Sequence, residues 1–480
     1  MLFCSRQYLV FFVAVFAVYW AMPVSRGPWL RRARIWLLLG ASVYFYASWN
    51  KWLAAVVCLS STADFLLARG MDHFQHRRWR QTMLGMSLTM NLALLAWFKY
   101  ANFFLRSLED ALHAAGATAS LPVLKIIVPI GISFYTFEAI SYTVDVYLGR
   151  IRAEKSFSHF LLFILFFPHL IAGPIVRARD FLPQIGRDKR WDWARLNVGV
   201  QYFLLGLIKK LVIADRMALF ADPLFADPTH YNTAAHWSGV LAYALQVYCD
   251  FSGYSDMAIG SAHMLGYKLA KNFDLPYLAP NLAEFWRRWH ISLSSWLRDY
   301  VFLPLGGSRA GGWRTYRNLF VSFTVCGLWH GAAWPYVVFG MLQGLLVSGH
   351  RLWQEFSKKR PALERLLLSP PGTHLRKATT FTTFCLTLVI FRSPTLTSGF
   401  DMLGHMFWRH PGGGHALPLV ALWLPALAMY LAHLAAEHNT WRRPLLSLPS
   451  PLRGLAYALT LSLALLFNPG AATAFIYFQF

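Results

Sequence analysis

Arginine, tryptophan and histidine crowd one stretch of this sequence. From Glu284 to Arg309, EFWRRWHISLSSWLRDYVFLPLGGSR holds four arginines, three tryptophans and His290. Forty residues further on, FTVCGLWHGAAW carries His330 with no charge near it. An imidazole in apolar surroundings tends to stay neutral near pH 7. Neutral imidazole is the form that takes a proton from a hydroxyl. Gly327, Gly331 and Ala332 beside His330 leave room for a substrate. A core histidine bonded to a neighbouring carbonyl is the plainer role for such a position. On one continuous helix, Arg287, His290 and Ser294 share a face, and Trp286 neighbours His290. The segment is too charged to cross a bilayer unaided. It suits an interfacial or re-entrant helix whose arginines snorkel to headgroups. Alternatively, it forms a basic funnel that accepts an anionic, phosphate-bearing donor. The glycine-rich PLGGSRAGGW that follows is no Walker pattern.

Other charged groups interrupt apolar runs, where each costs about 2.5–3.5 kcal/mol on insertion scales and marks a candidate site. Glu138 and Asp145 lie in VPIGISFYTFEAISYTVDVY, His169 in FFPHLIAGPIVR, and Lys209, Lys210 and Asp215 in GLIKKLVIAD. Asp250 and Asp256 lie in QVYCDFSGYSDMAIG. Their spacing puts them about 120° apart on an ideal helix, so a paired-carboxylate glycosidase site is unsupported. Gly253 between them suggests a broken helix lining a cavity. The alternative is polar bonding between packed helices.

These residues need a scaffold, and composition says which kind. The 480 residues are 56% hydrophobic and only 14% charged, against about 25% charged in a soluble domain. Twenty tryptophans and 38 phenylalanines point the same way. The expected fold is an all-α polytopic integral membrane protein. Apolar runs near 7–24, 35–49, 52–68, 83–105, 122–147, 158–176, 196–214, 237–265, 316–334, 335–350, 378–392, 417–436 and 453–468 suggest 11 to 13 embedded helices, some re-entrant. The net charge of +23 does not imply nucleic acid, because the basic residues fall in short clusters between apolar runs. Arg26, Arg31, Arg32 and Arg34 follow the first run; Arg69, Arg77, Arg78 and Arg80 follow the third; Arg150, Arg152 and Lys155 follow the fifth. SLEDALHAAGATAS, after the fourth, has no Lys or Arg. That alternation places the basic loops in the cytoplasm and the N-terminus outside. The first run is long and weakly basic at its start, so it reads as a span rather than a signal peptide. The polar segment 353–377 reads as a cytoplasmic loop. The five cysteines have neither zinc nor redox spacing and read as small buried hydrophobes.

WRRWHISLSSWLRDY with a downstream LWHG resembles the membrane-bound O-acyltransferase family, and within it the bacterial alginate O-acetyltransferase branch. The likeness extends over PIGISFYTFEAISYTVDVY, FFPHLIAGPIVR, GLIKKLVIADR, YCDFSGYSDMAIG, NFDLPYLAPNLAEFWRRWHISLSSWLRDYVFLPLGG and the terminal FIYFQF, in that branch's order. Cys4 stands where the branch has Asn. The resemblance implies one membrane domain over 1–480, with core motifs in 122–350 and C-terminal helices in 378–480. Its helices would form a ring around a thinned centre crossed by a tunnel, in the bacterial inner membrane. His330 corresponds to the family's most characteristic catalytic histidine and His290 to a second histidine of the branch. The implied reaction carries an acyl group from a cytoplasmic thioester toward an outer polysaccharide such as alginate, with separate periplasmic acetyltransferase proteins as partners.

On this basis acetyl-CoA is the expected donor substrate, with no permanently bound cofactor and no metal. His330 is the expected base toward the acceptor hydroxyl, or activates a relay group, and His290 orients the donor thioester or polarises its carbonyl. Arg287, Arg288 and Arg298 neutralise the donor's phosphates or shape the cytoplasmic mouth, and Ser294, Trp329, Asp250 and Asp256 bind the donor or line the tunnel. No GxSxG elbow or reactive cysteine motif is present, which favours direct transfer, with a transient acyl-histidine still open. Two alternatives stand: D-alanyl transfer from a carrier-protein thioester, as in teichoic acid modification, and a transporter without acyl chemistry.

Overall fold

Every regular element among the described residues is a helix. The computed structural model describes residues 1–23, 27–74, 76–171, 173–410, 419–437, 448–467 and 475–476. Arg26, the edges of the runs at 417–436 and 453–468, and the last four residues of FIYFQF lie outside them. The chain divides into two compact units, Met1–Phe203 with Ser255–Ala270, and Leu204–Tyr254 with Lys271–Phe480.

The first unit opens with α1 (Arg6–Ala21), α2 (Pro28–Ala47) and α3 (Lys51–His73). Their starts are local chemistry. Ser5 Oγ accepts the Tyr8 N–H at 3.2 Å, Pro28 opens α2, and Asn50 Oδ1 accepts the Leu53 N–H at 3.1 Å. α4 (Arg77–Leu95) runs through a π-helical turn, Ala96–Tyr100, into α5 (Ala101–Ala114). α6 (Ile132–Tyr147) fills only the second half of the span expected at 122–147. Pro122 and Pro129 keep the first half out of the helix, since each lacks an N–H and biases its predecessor toward extended backbone. α7 (Phe157–Leu165) likewise stops well short of 176, just ahead of Pro168. α8 (Ala178–Ile185) and α9 (Trp193–Leu207) follow.

Buried polar groups in this unit are met by donors. Asp64 accepts from Ser87 Oγ at 2.6 Å and from Asn91 Nδ2 at 2.9 Å. Glu138 Oε1 accepts the Val176 N–H at 2.8 Å, and its Oε2 lies 3.3 Å from His169 Nε2. Asp145 pairs with Arg150 at 2.9 Å. These carboxylates join helices and loops to one another, which is how interior polar groups act as glue.

The second unit holds α10 (Asp215–Ala226), entered through a π-helical stretch Ile208–Ala214, and α11 (Thr233–Met264) as far as Tyr254. It continues with α12 (Leu282–Arg288), α13 (Ile291–Leu297), α14 (Gly312–His330), α15 (Trp334–Lys358), α16 (Pro361–Leu368), α17 (Pro370–Arg392), α18 (Leu396–Phe407), α19 (Leu419–Glu437) and α20 (Ser450–Leu466). Two expectations are corrected here. α11 runs unbroken through Gly253, whose bare Cα instead admits a neighbouring backbone: a Cβ there would sit 2.8 Å from the Gly206 carbonyl oxygen. The segment 353–377 is helical rather than a loop, because α15 continues to Lys358 and Pro361 and Pro370 each open a further helix.

One described helix, Lys51–His73, is both long and apolar enough to cross a membrane by length and composition. Arg6–Ala21, Leu422–Glu437 and Ser450–Leu466 are apolar but shorter. Other helices reach the 20 or so residues a bilayer needs. Two of these long helices carry arginines in their first turns, α2 at Arg31 and α4 at Arg77, Arg78 and Arg80. Such end positions let long basic side chains extend away from the apolar run.

α14 and α15 pack backbone to backbone. A Cβ on Gly340 would fall 2.3 Å from the Phe323 carbonyl oxygen, whereas one on Gly349 would meet nothing within 4 Å. Gly340→Ala is therefore expected to destabilise the protein by about 1–3 kcal/mol through overpacking. Gly349→Ala should leave stability unchanged or slightly raised. Thermal unfolding of the detergent-solubilised variants checks both.

Candidate active site

The block from Asn272 to Leu297 builds the site by breaking a helix. Asn281 Oδ1 caps α12 by accepting the Glu284 N–H at 2.8 Å. α12 ends at Arg288, Trp289 is extended, and His290 is left-handed with φ 44° and ψ 54°. α13 begins at Ile291. The single continuous helix expected here is thus two short ones, and Arg287, His290 and Ser294 do not share a helical face. His290 is one of two non-glycine residues with positive φ among the described residues. Such a conformation costs on the order of 1–3 kcal/mol and persists when its surroundings over-determine it.

Asn272 is what over-determines it. Its carbonyl accepts the Ile291 N–H at 2.9 Å. Its side-chain Oδ1 accepts from the Ser292 N–H at 3.2 Å and the Ser292 hydroxyl at 2.9 Å. The Asp274 N–H donates to the Arg288 carbonyl at 2.9 Å, and Ser294 Oγ donates to the Trp289 carbonyl at 3.2 Å. Composition gave no signal for Asn272, because its partners are backbone groups of a turn visible only once folded.

The turn delivers the His290 ring into an aromatic enclosure. Phe251 meets it edge-to-face at 4.6 Å between centroids, Trp329 lies at 5.5 Å, and the His330 ring at 6.4 Å. His330 ends α14, flanked by Trp329 at 5.1 Å, Phe391 at 5.4 Å and Phe339 at 6.5 Å. His290 is fully buried and His330 is 4% exposed. Residues from α11, the α12–α13 break, α14, α15 and α17 therefore converge on two imidazoles. Gly327 and Gly331 do not leave space beside His330, as the sequence suggested. A Cβ on Gly327 would sit 2.2 Å from the Tyr336 carbonyl oxygen, and one on Gly331 would meet the Tyr336 ring at 2.2 Å. Both positions are taken up by close packing.

The remaining candidates divide. Trp329 packs against both histidines, at 5.5 Å from His290 and 5.1 Å from His330. Ser294 serves the helix break. Arg287 and Arg288 both approach Glu284, at 3.4 and 3.0 Å, and Arg298 pairs with Asp299 at 2.8 Å. Arg287 and Arg298 are exposed, so these ion pairs are worth about 0–1 kcal/mol each and leave their guanidinium groups open to a further anion. Asp250 is buried and bound to Lys210 at 2.7 Å, next in sequence to Phe251. Asp256 is half-buried and belongs to the first unit. Among the described residues, no group of three or more His, Cys, Asp or Glu is placed to hold a metal ion.

Residues 76–391 match the model of MBOAT, the membrane-bound O-acyltransferase family. The chain belongs to the membrane-bound O-acyltransferase family. It is 39% identical to "Probable alginate O-acetylase AlgI" of Azotobacter vinelandii, over 85% of this chain and 78% of that protein. It is 36% identical to "Peptidoglycan O-acetyltransferase" of Helicobacter pylori, over 78% of this chain and 73% of that one. It is 28% identical to "Teichoic acid D-alanyltransferase" of Bacillus subtilis, over 48% of this chain and 60% of the relative. As a membrane-bound O-acyltransferase the chain is a membrane enzyme whose chemistry is acyl transfer to a hydroxyl, and both buried histidines lie within the matched residues.

Asn272→Ala removes the acceptor that Ser292 uses and leaves buried donors unmet, at a cost of about 1–3 kcal/mol. The expected result is a lowered melting temperature together with acyl transfer reduced about ten-fold or more, since His290 loses its fixed position. Asn272→Asp, which keeps the acceptor oxygen but buries a carboxyl in place of the amide, should recover only part of both. Melting curves and transfer assays on the two variants check this.

Proposed function

We propose that this protein transfers an acetyl group from acetyl-CoA, on the cytoplasmic side of the bacterial inner membrane, toward hydroxyls of an extracytoplasmic polysaccharide such as alginate. The observation that carries this reading is the pair of buried imidazoles, 6.4 Å apart between ring centroids inside a wall of aromatic side chains. The names of the relatives support acetyl rather than aminoacyl transfer. The alginate and peptidoglycan acetylating relatives align over 85% and 78% of this chain, the D-alanyl relative over 48%.

His330, uncharged, takes the proton of the attacking hydroxyl. The oxygen forms a bond to the thioester carbonyl carbon, the carbon–sulfur bond breaks, and the thiolate leaves with the proton returned by His330. His290, held by the Asn272 turn, orients the thioester or polarises its carbonyl. Trp329, packed against both rings, aligns them. The aromatic wall excludes water, which matters because a thioester is open to hydrolysis. Arg287, Arg288 and Arg298 meet the donor's phosphates as charge-assisted donors. Ser294 belongs to the path that the donor and acceptor follow, and Asp250, tied to Lys210, supports its wall. In this proposal the helices ring a thinned centre crossed by that path, the N-terminus lies outside, and separate periplasmic proteins take the acetyl group onward to the polymer.

His330→Ala should insert and express normally and lose at least about 100-fold in acetyl transfer, the lower end of what a general base supplies. The assay is transfer of label from acetyl-CoA to polymer in membranes. Transfer by His330→Ala at the normal rate would remove His330 from the mechanism. Failure of the unaltered protein to accept acetyl from acetyl-CoA, with label from a carrier-protein thioester accepted instead, would replace the donor.

A further inference from the structure

The second unit contains a buried ion cluster that the acyl-transfer chemistry does not use. Lys210 Nζ lies 2.8 Å from Asp215 Oδ1 and 2.7 Å from Asp250 Oδ1, and all three side chains are almost completely buried. Two carboxyl groups share one ammonium. A further partner comes from far along the chain: Asp250 Oδ2 accepts the backbone N–H of Ile476 at 2.7 Å. The residue before it, Phe475, packs its ring at a tilt against Tyr254 at 4.3 Å and Phe251 at 5.8 Å. Phe475 and Ile476 are themselves buried.

Asp250, Phe251 and Tyr254 are spaced i, i+1 and i+4 on α11, so one side of one helix grips the segment by a charge-assisted hydrogen bond and by two rings. The same Phe251 forms the wall of His290 at 4.6 Å. Lys210 sits in the π-helical stretch Ile208–Ala214, a local widening frequent at functional sites. Such a widening shifts the positions after it relative to an α-helix. A buried charge cluster costs several kcal/mol to desolvate, and its retention here calls for a task.

We propose that Lys210, Asp215 and Asp250 are positioning residues that fasten the Phe475–Ile476 segment over the Phe251 wall, closing that flank of the histidine site to water. Lys210 and Asp215 hold Asp250 with one oxygen turned to the Ile476 amide, and Phe475 covers Phe251 and Tyr254. The closure serves the proposed acyl transfer by favouring the acceptor hydroxyl over water. The inference rests on that reading for its effect on chemistry, though not for its geometry.

The test uses the full-length protein. Hydrogen–deuterium exchange with mass spectrometry follows peptides covering 475–476, and labelled acetyl-CoA is followed both to polymer and to free acetate. Asp250→Asn and Lys210→Met are expected to speed exchange at Ile476 at least ten-fold. They should also lower the ratio of polymer acetylation to acetate release at least ten-fold, and Asp250→Glu should recover part of both. Ile476→Pro deletes the donor N–H without touching the ion cluster and should reproduce the lowered ratio, which keeps the test intact if the charge variants fold poorly. Unchanged exchange in Asp250→Asn, or an unchanged ratio in Ile476→Pro, overturns the proposal. If the unaltered protein transfers nothing from acetyl-CoA, the function proposed above fails while the exchange measurement still decides whether the clamp exists.

Discussion

A charge or polar group in an interior that faces apolar surroundings persists only where partners replace the water it has lost. That constraint organises this molecule more than any helix propensity does. Breaking a buried pair by removing one partner typically costs about 3–5 kcal/mol, a large share of any domain's net stability. Asp64 is held by Ser87 and Asn91, Glu138 by the Val176 N–H with His169 alongside, and Asp250 by Lys210 and the Ile476 N–H. Each of these links segments that are remote in sequence. The polar groups act as fixed points between which apolar helices are laid.

The histidine site follows the same logic with a different balance. His290 sits in a left-handed conformation that its side chain resists, and Asn272 with the Ser292 and Ser294 hydroxyls holds the turn in place. The return is position. A helix continuing through residue 290 would carry that imidazole around with its neighbours, whereas the break lets it point at Phe251, Trp329 and His330. Two basic rings buried in an aromatic enclosure, with arginines at the surface of the same segment, suit a reaction that must admit a hydroxyl and an activated ester yet exclude water.

Much of the architecture was legible in the sequence because it is local. Apolar runs became helices, and prolines, asparagines and serines marked several of their starts. Where the structure departs from the sequence pattern, some of the causes are local as well. Pro122 and Pro129 shorten the run at 122–147, and Pro361 and Pro370 start helices within a stretch whose charge suggested a loop. Glycines misled in the opposite direction. Gly253, Gly327 and Gly331 suggested a kink and open space, but each is filled by a neighbouring backbone or ring, which cannot be known before the neighbour is.

The sequence by itself determined that this is a largely apolar helical chain, that its charges are rationed to particular blocks, and that those blocks match a family of acyltransferases. Residue type and short spacing carry such information, because propensity, hydrophobic burial and motif chemistry act over a few residues. Tertiary structure alone decided which of the polar residues meet. His290 and His330 are forty residues apart, and Asp250 and Ile476 are 226 apart. Their encounters depend on the full packing of α11, α14 and α17 and on one strained turn. No local rule encodes such meetings, since their energy comes from the desolvation of groups that become neighbours only in the folded protein.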